Sequence, residues 1–206
     1  MALTPTKLCN MALGMMGDKA NSITDIAVEE SSEEWRLCDV YYDAVRDRVA
    51  SMRPWRFNRG RAQLEQNETA PDFGYAYAYD LPEDCLRVRR VVDQNGVLTK
   101  YKWDKEGAQI LTDDGTCYIL YAVTSEDLTK WPPEVIRLFA QELAIELAVP
   151  LAKSKQLKAQ LIEECRKVVL PDAERADGLE CFGDGEDGNT GWVDAGNADT
   201  DIYDQY

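Results

Sequence analysis

The sequence predicts an α+β protein: a helical bundle made of an N-terminal and a C-terminal helix pair, with a small antiparallel β-sheet or sandwich inserted between them. Three observations predict it. Tyr75, Tyr77 and Tyr79 alternate with Ala76 and Ala78, a period of two that belongs to a strand. Apolar residues before and after that region instead recur every three or four positions, as on one face of a helix. Prolines and glycines fall between these runs and mark their limits.

Thr4-Pro5 reads as an N-cap followed by a proline at the first helical position. Leu8, Met11, Ala12, Met15 and Met16 follow at helical spacing, so a first helix is expected over about 4–16, closed by Gly17. The polar stretch 18–30, with Ile23 and Ile26 as an apolar insert, reads as an ordered loop. Ser31 or Ser32 can cap a second helix over about 32–53, with Glu33 and Glu34 favoured at its positive end. Leu37, Tyr41, Val45, Val49 and Met52 form its stripe, and Pro54 ends it.

The β insertion is expected over about 73–123. Phe73–Asp80 and Leu86–Val92 read as an opening hairpin broken by Leu81-Pro82, because Pro82 has no backbone donor. Asn95-Gly96 signals a turn into a strand over Val97–Trp103. Ala108–Thr112 and Thr116–Val123 complete a meander of about five strands. Helical spacing then returns. Ile136, Phe139, Leu143 and Leu147, broadened by Ala140 and Ala144, predict a helix over about 133–149. Leu157, Leu161, Cys165 and Val168 predict the last one, over about 152–170 and stopped by Pro171.

A domain over 1–171 is therefore followed by a different segment, an acidic, extended C-terminal tail over 172–206. It holds eleven acids against one base, Arg175, and six of the chain's thirteen glycines. Such a composition lacks the aliphatics to build a core. It nevertheless carries Phe182, Trp192, Tyr203 and Tyr206, spaced as in an arm that grips a partner.

Composition narrows the function. The 206 residues carry a net charge of −15, which repels a phosphate backbone and an anionic membrane surface. There is no histidine, which removes the commonest general base and metal ligand. Six cysteines are scattered without a C-x-x-C and read as reduced thiols in a cytosolic setting. No signal peptide and no membrane span is expected. Asp184–Gly191 resembles a calcium loop in composition but fails its register, since Trp192 falls at the obligatory glycine. Gly185, Gly188 and Gly191 are not followed by the Lys-Ser/Thr of a phosphate loop. Glu29-Glu30 and Glu163-Glu164 are neighbours that point to different helix faces, not a catalytic dyad. The expected catalytic, cofactor and metal residues are none.

One charge feature stands out. Between Arg46 and Arg61 lie six arginines (46, 48, 53, 56, 59 and 61) and a single acid, Asp47. Surface salt bridges are the ordinary explanation. The sharper one is a docking surface for an acidic partner, including another copy of this chain.

A set of segments carries a resemblance: Tyr41–Arg48, Pro54-Trp55-Arg56-Phe57, Arg61–Leu64, Tyr75–Tyr79, Leu81-Pro82 with Asp84–Val88, Ile119-Leu120-Tyr121, Pro132-Pro133 and Leu143–Ala148. In order and spacing they resemble the tail tubular protein A family of short-tailed bacteriophages, the head-to-tail adaptors below the portal. The resemblance spans about residues 3–170. Asn58 stands where a small residue is expected, and the acidic tail has no counterpart. The resemblance implies a ring of twelve copies that binds the portal protein above and a tail nozzle protein (tail tubular protein B-like) below. It implies that viral DNA passes through without specific binding, and that the protein has no enzymatic activity and no membrane partner. It also implies assembly in the host bacterial cytoplasm and residence in the virion at the head–tail junction. On this reading Arg46, Arg53, Arg56, Arg59 and Arg61, together with the tail aromatics Phe182, Trp192, Tyr203 and Tyr206, are candidates for subunit or portal contacts. Two alternatives belong to other classes: a cytosolic carboxylate-dependent enzyme, and an acidic DNA mimic acting as a regulator.

Overall fold

The computed structural model describes residues 3–17, 20–28 and 32–179. It has a mixed α+β fold, and the chain forms two compact units. One comprises residues up to Phe57 together with those from Asp127 onward; the other is Asn58–Glu126.

The first unit is helical. Helix α1 spans Pro5–Gly14, with the Thr4 hydroxyl accepting from the Lys7 amide at 3.3 Å. Helix α2 spans Glu33–Met52 and is capped by Ser32, whose hydroxyl accepts from the Trp35 amide at 3.2 Å. Arg53 leaves the helix in an extended conformation, as the residue before a proline must. Helix α3, Pro133–Leu147, is buried on nearly every side and packs against α1, α2 and the C-terminal helices. A helix covered over so much of its surface belongs in an interior. Its one fully buried polar side chain, Gln141, donates to the Leu161 carbonyl at 3.1 Å and so meets the cost of burying an amide.

The predicted stripes hold at Leu37, Val45, Val49, Phe139, Leu143 and Leu147, and one position in each moves to its neighbour. Tyr42 is buried in α2 with its ring centroid 5.2 Å from that of Phe139, the planes tilted by 48°, while Tyr41 is half-buried. Val135 rather than Ile136 is fully covered in α3. Adjacent helical positions differ by about 100°, so the partner helix decides which of two apolar neighbours turns inward. Aromatic contact continues from Phe139 to Trp131 (5.6 Å), to Phe57 (4.9 Å) and to Trp55 (6.5 Å). The Trp55 indole donates to the Val49 carbonyl at 2.7 Å, closing the corner after α2.

Pro171 does not stop the last helix. Helix α4, Lys155–Glu164, runs into a π-helical stretch over Cys165–Val169, and α5 continues over Leu170–Leu179. A proline inside a regular helix loses one hydrogen bond and clashes with the carbonyl four residues back. The wider π turn, closed by the Leu170 amide on the Cys165 carbonyl, relieves that clash one residue before the ring. The acidic segment expected to be extended is therefore helical over 172–179. The remainder of the expected tail, including Phe182, Trp192, Tyr203 and Tyr206, lies outside the described residues.

The second unit holds six strands: β1 Arg59–Leu64, β2 Tyr77–Asp80, β3 Cys85–Val92, β4 Trp103–Glu106, β5 Gln109–Thr112 and β6 Cys117–Val123. They form two antiparallel three-stranded sheets, ordered β1-β6-β3 and β2-β5-β4. This corrects the expected meander in three respects. The sheet region begins at Arg59, not at residue 73. Strands β2 and β3 do not pair as a hairpin, since the break at Leu81-Pro82 sends them into different sheets. The turn at Asn95-Gly96 is present, with Gly96 at φ 80°, but only one bridge, Val92 to Leu98, follows it. The turn is held by Asp93, whose carboxylate accepts from the Asn95 and Val97 amides at 2.8 and 2.9 Å.

Both sheets feed one cluster: Leu64, Val91, Cys117, Ile119 and Tyr121 from the first, Tyr79 and Ile110 from the second. The Tyr79 hydroxyl donates to the Asp114 carbonyl at 2.8 Å, so the most buried ring of the tyrosine run also has a polar partner.

Candidate interaction surfaces

The arginine run is divided between the units. Arg46 lies along α2, with Asp43 and Asp47 each at 2.9 Å. Arg48 forks across to α3, reaching Glu142 and Glu146 at 2.8 Å each. Lys158 joins Glu146 at 3.4 Å. Burial would raise the Glu146 carboxyl, but hydrogen bonds and charge from Arg48 and Lys158 outweigh it and hold the group below its ordinary value. Arg53 meets Glu174 at 2.7 Å. The Arg56 amide donates to the Asp177 carboxylate at 2.7 Å, and its guanidinium to the Asp177 carbonyl at 3.1 Å. The first acids of the predicted tail thus meet arginines of the same helical unit. Arg59 and Arg61 belong to β1; Arg61 is exposed and Arg59 half-buried. Asn58 is buried, with its amide 3.4 Å from the Val123 carbonyl.

The described cysteines are free thiols, and all but Cys85 are buried. Cys9 donates to or accepts from Cys38, and that contact together with burial pushes it far up. Burial pushes Cys117 up to about 11 and Cys165 up to about 12. Such thiols stay protonated at neutral pH, the wrong state for a nucleophile or a metal ligand. Among the described residues no group of three acidic or cysteine side chains could hold a metal, and no helix is long and apolar enough to cross a membrane.

Two exposed features of the β unit were not legible as sites. The first is a groove of about 710 Å³ between the segment Asn67–Tyr75 and the second sheet. Ala78, Leu111, Gln109 and Glu106 line it from the sheet. Register explains this: Tyr79 pairs with Ile110 on the core side, so Ala78 with its partner Leu111 turns to the other side. The small face of the tyrosine–alanine run is where this groove forms. Glu68, Asp72 and Glu106 line it, and no lysine or arginine does.

The second feature is the connection from Val97 to Trp103. Val97 and Leu98 are 62% and 61% exposed, Tyr101 and Trp103 42% and 40%. Lys100 and Lys102 are exposed between them. The segment is pinned, with the Thr99 amide donating to the Val91 carbonyl at 3.2 Å and the Thr112 hydroxyl to the Lys102 carbonyl at 2.9 Å. Its sequence alternates like a strand, with Val97, Tyr101 and Trp103 on one face and Lys100 and Lys102 on the other, which hid it.

No known protein-family model matches the chain, and no curated protein matches it.

Proposed function

We propose that this protein is a structural connector of a short-tailed bacteriophage virion. Twelve copies form a ring that joins the portal to the tail nozzle, and DNA passes through it without being held. The observation that carries the reading is where the resembling segments fall. Several of them contain residues that determine the architecture. Tyr42 supplies the α2–α3 ring contact, and Trp55 closes the corner after α2. Tyr79 and Tyr121 sit in the shared cluster of the two sheets, which we read as a small sandwich. Leu143, Ala144 and Leu147 fill the interior of the helices, which we read as a bundle.

The charge supports the same reading. A conduit wall with an acidic excess repels phosphates and does not retain its cargo. A cyclic ring uses heterologous contacts, so each subunit needs two different complementary surfaces. Arg61 and the tail aromatics Phe182, Trp192, Tyr203 and Tyr206 are proposed contacts with the neighbouring subunit or portal. Arg46, Arg53 and Arg56 would contribute only by exchanging the partners they have within the chain.

The test is native mass measurement and negative-stain imaging of the purified protein, alone and mixed with the portal protein of the same phage. A ring with a central hole in either sample is the expected result. A monomer that ignores the portal overturns the reading.

A further inference from the structure

The groove and the 97–103 connection of the β unit complement each other in charge and in polarity. We propose that the Val97–Trp103 tongue of one copy docks in the groove beneath Asn67–Tyr75 of the next copy, making the subunit-to-subunit contact head to tail. The inference rests on the ring reading in one respect, that the occupant is a second copy.

Complementarity argues for that occupant. The tongue offers Lys100 and Lys102, neither in an ion pair among the described residues, together with exposed Val97, Leu98, Tyr101 and Trp103. The groove offers Glu68, Asp72 and Glu106 together with the exposed ring of Phe73, over Ala78 and Leu111, which are themselves nearly covered. Apolar groups concentrated in so short an exposed segment mark a contact surface. Aromatic side chains beside a charge of one sign are the usual anchors of such a contact.

The tongue enters β4 at Trp103, and the groove runs along that strand from Leu111, the partner of Asp104, to Glu106 at the far end. The bonds at Thr99 and Lys102 hold the tongue in place, so it has no freedom to fold back. Being already ordered, it loses little conformational freedom on docking. Simple strand addition at the free edge of β4 is the weaker use of this surface, because Asp104, Lys105 and Glu106 charge that edge. A contact that uses two different patches leaves one of each open on every pair, so it propagates until a ring closes.

The experiment uses the full chain in sedimentation velocity over a concentration series, at low and moderate salt. Three variants are compared with the unmodified protein: Lys100→Glu with Lys102→Glu, Glu68→Lys with Asp72→Lys, and all four together. Circular dichroism melting checks that each is folded. The unmodified protein should associate with rising concentration, and less at higher salt. Each double reversal turns attractions into repulsions and should weaken association about tenfold or more. The fourfold variant should recover it, because the charges are complementary again. Double variants that associate like the unmodified protein, or a folded fourfold variant that fails to recover, overturn the proposal. A protein that stays monomeric throughout the series overturns it as well, and the portal-mixing experiment still decides the connector reading on its own. Tongue-dependent association that gives no ring, either alone or with the portal, would leave this contact standing and overturn the connector.

Discussion

Gly60 lies in β1 directly opposite Tyr121 of β6, and the Tyr121 ring occupies the space a side chain would need. A Cβ at position 60 would come within 2.6 Å of Tyr121 Cζ, 2.7 Å of its Cε1 and 2.6 Å of Val123 Cγ2. Ordinary carbon contacts begin near 3.5 Å, so three overlaps of close to an ångström arise at once. Tyr121 cannot simply swing away. It is part of the buried cluster, and its hydroxyl reaches the Asp84 carboxylate at 3.3 Å. Without the overlap, Gly60→Ala would stabilise the strand by roughly 0.5–1 kcal/mol, by limiting the unfolded chain. Overpacking of this kind costs about 1–3 kcal/mol, so a net loss of about 0.5–2 kcal/mol is expected. At a typical urea slope of about 2 kcal/mol per molar, the unfolding midpoint falls by roughly 0.3–1 M. Denaturation followed by tryptophan fluorescence and circular dichroism measures it. The ring is the obstacle only if the two sites couple, so Gly60→Ala should cost distinctly less in a Tyr121→Leu background. A Gly60→Ala protein as stable as the parent, or more so, refutes the argument.

Other tests probe the helical unit. Arg48→Ala removes both ties between α2 and α3 and, after screening at a half-exposed site, should cost roughly 0.5–1 kcal/mol. Because Glu146 is held below its ordinary carboxyl value when folded, the stability it contributes is present above the ordinary carboxyl range. That contribution is lost as pH falls through the lowered value, so the Arg48→Ala difference should shrink on acidification; a pH-independent difference contradicts this. Lys153, at φ 50°, occupies a left-handed position after α3, so Lys153→Gly should raise stability by about 1 kcal/mol in the same denaturation assay. Trp55→Phe keeps most of the ring but loses the buried bond to the Val49 carbonyl, and should cost about 1–3 kcal/mol; an unchanged midpoint would show that the corner does not depend on it.

The sequence by itself determined the α+β class, the starts of the first three helices and the turn at Asn95-Gly96. These are local matters: a capping hydroxyl, a proline at the first helical position and a glycine at positive φ act within a few residues. Tertiary structure decided the rest. Strand β1 escaped notice because its inward residues are Gly60, Ala62 and Leu64, an alternation of small groups that fits only because Tyr121 fills the space above them. Which strands pair could not be read from adjacency, since β6, the last strand of the unit, pairs with β1, the first, and with β3 between them. Pro171 looked like a stop until a π turn made room for it, and the charge of the arginine run gained its meaning only when α5 brought Glu174 and Asp177 to Arg53 and Arg56. Pro171 apart, where the relief is local, the deciding partner is distant in sequence, and propensity and periodicity are blind to such a partner.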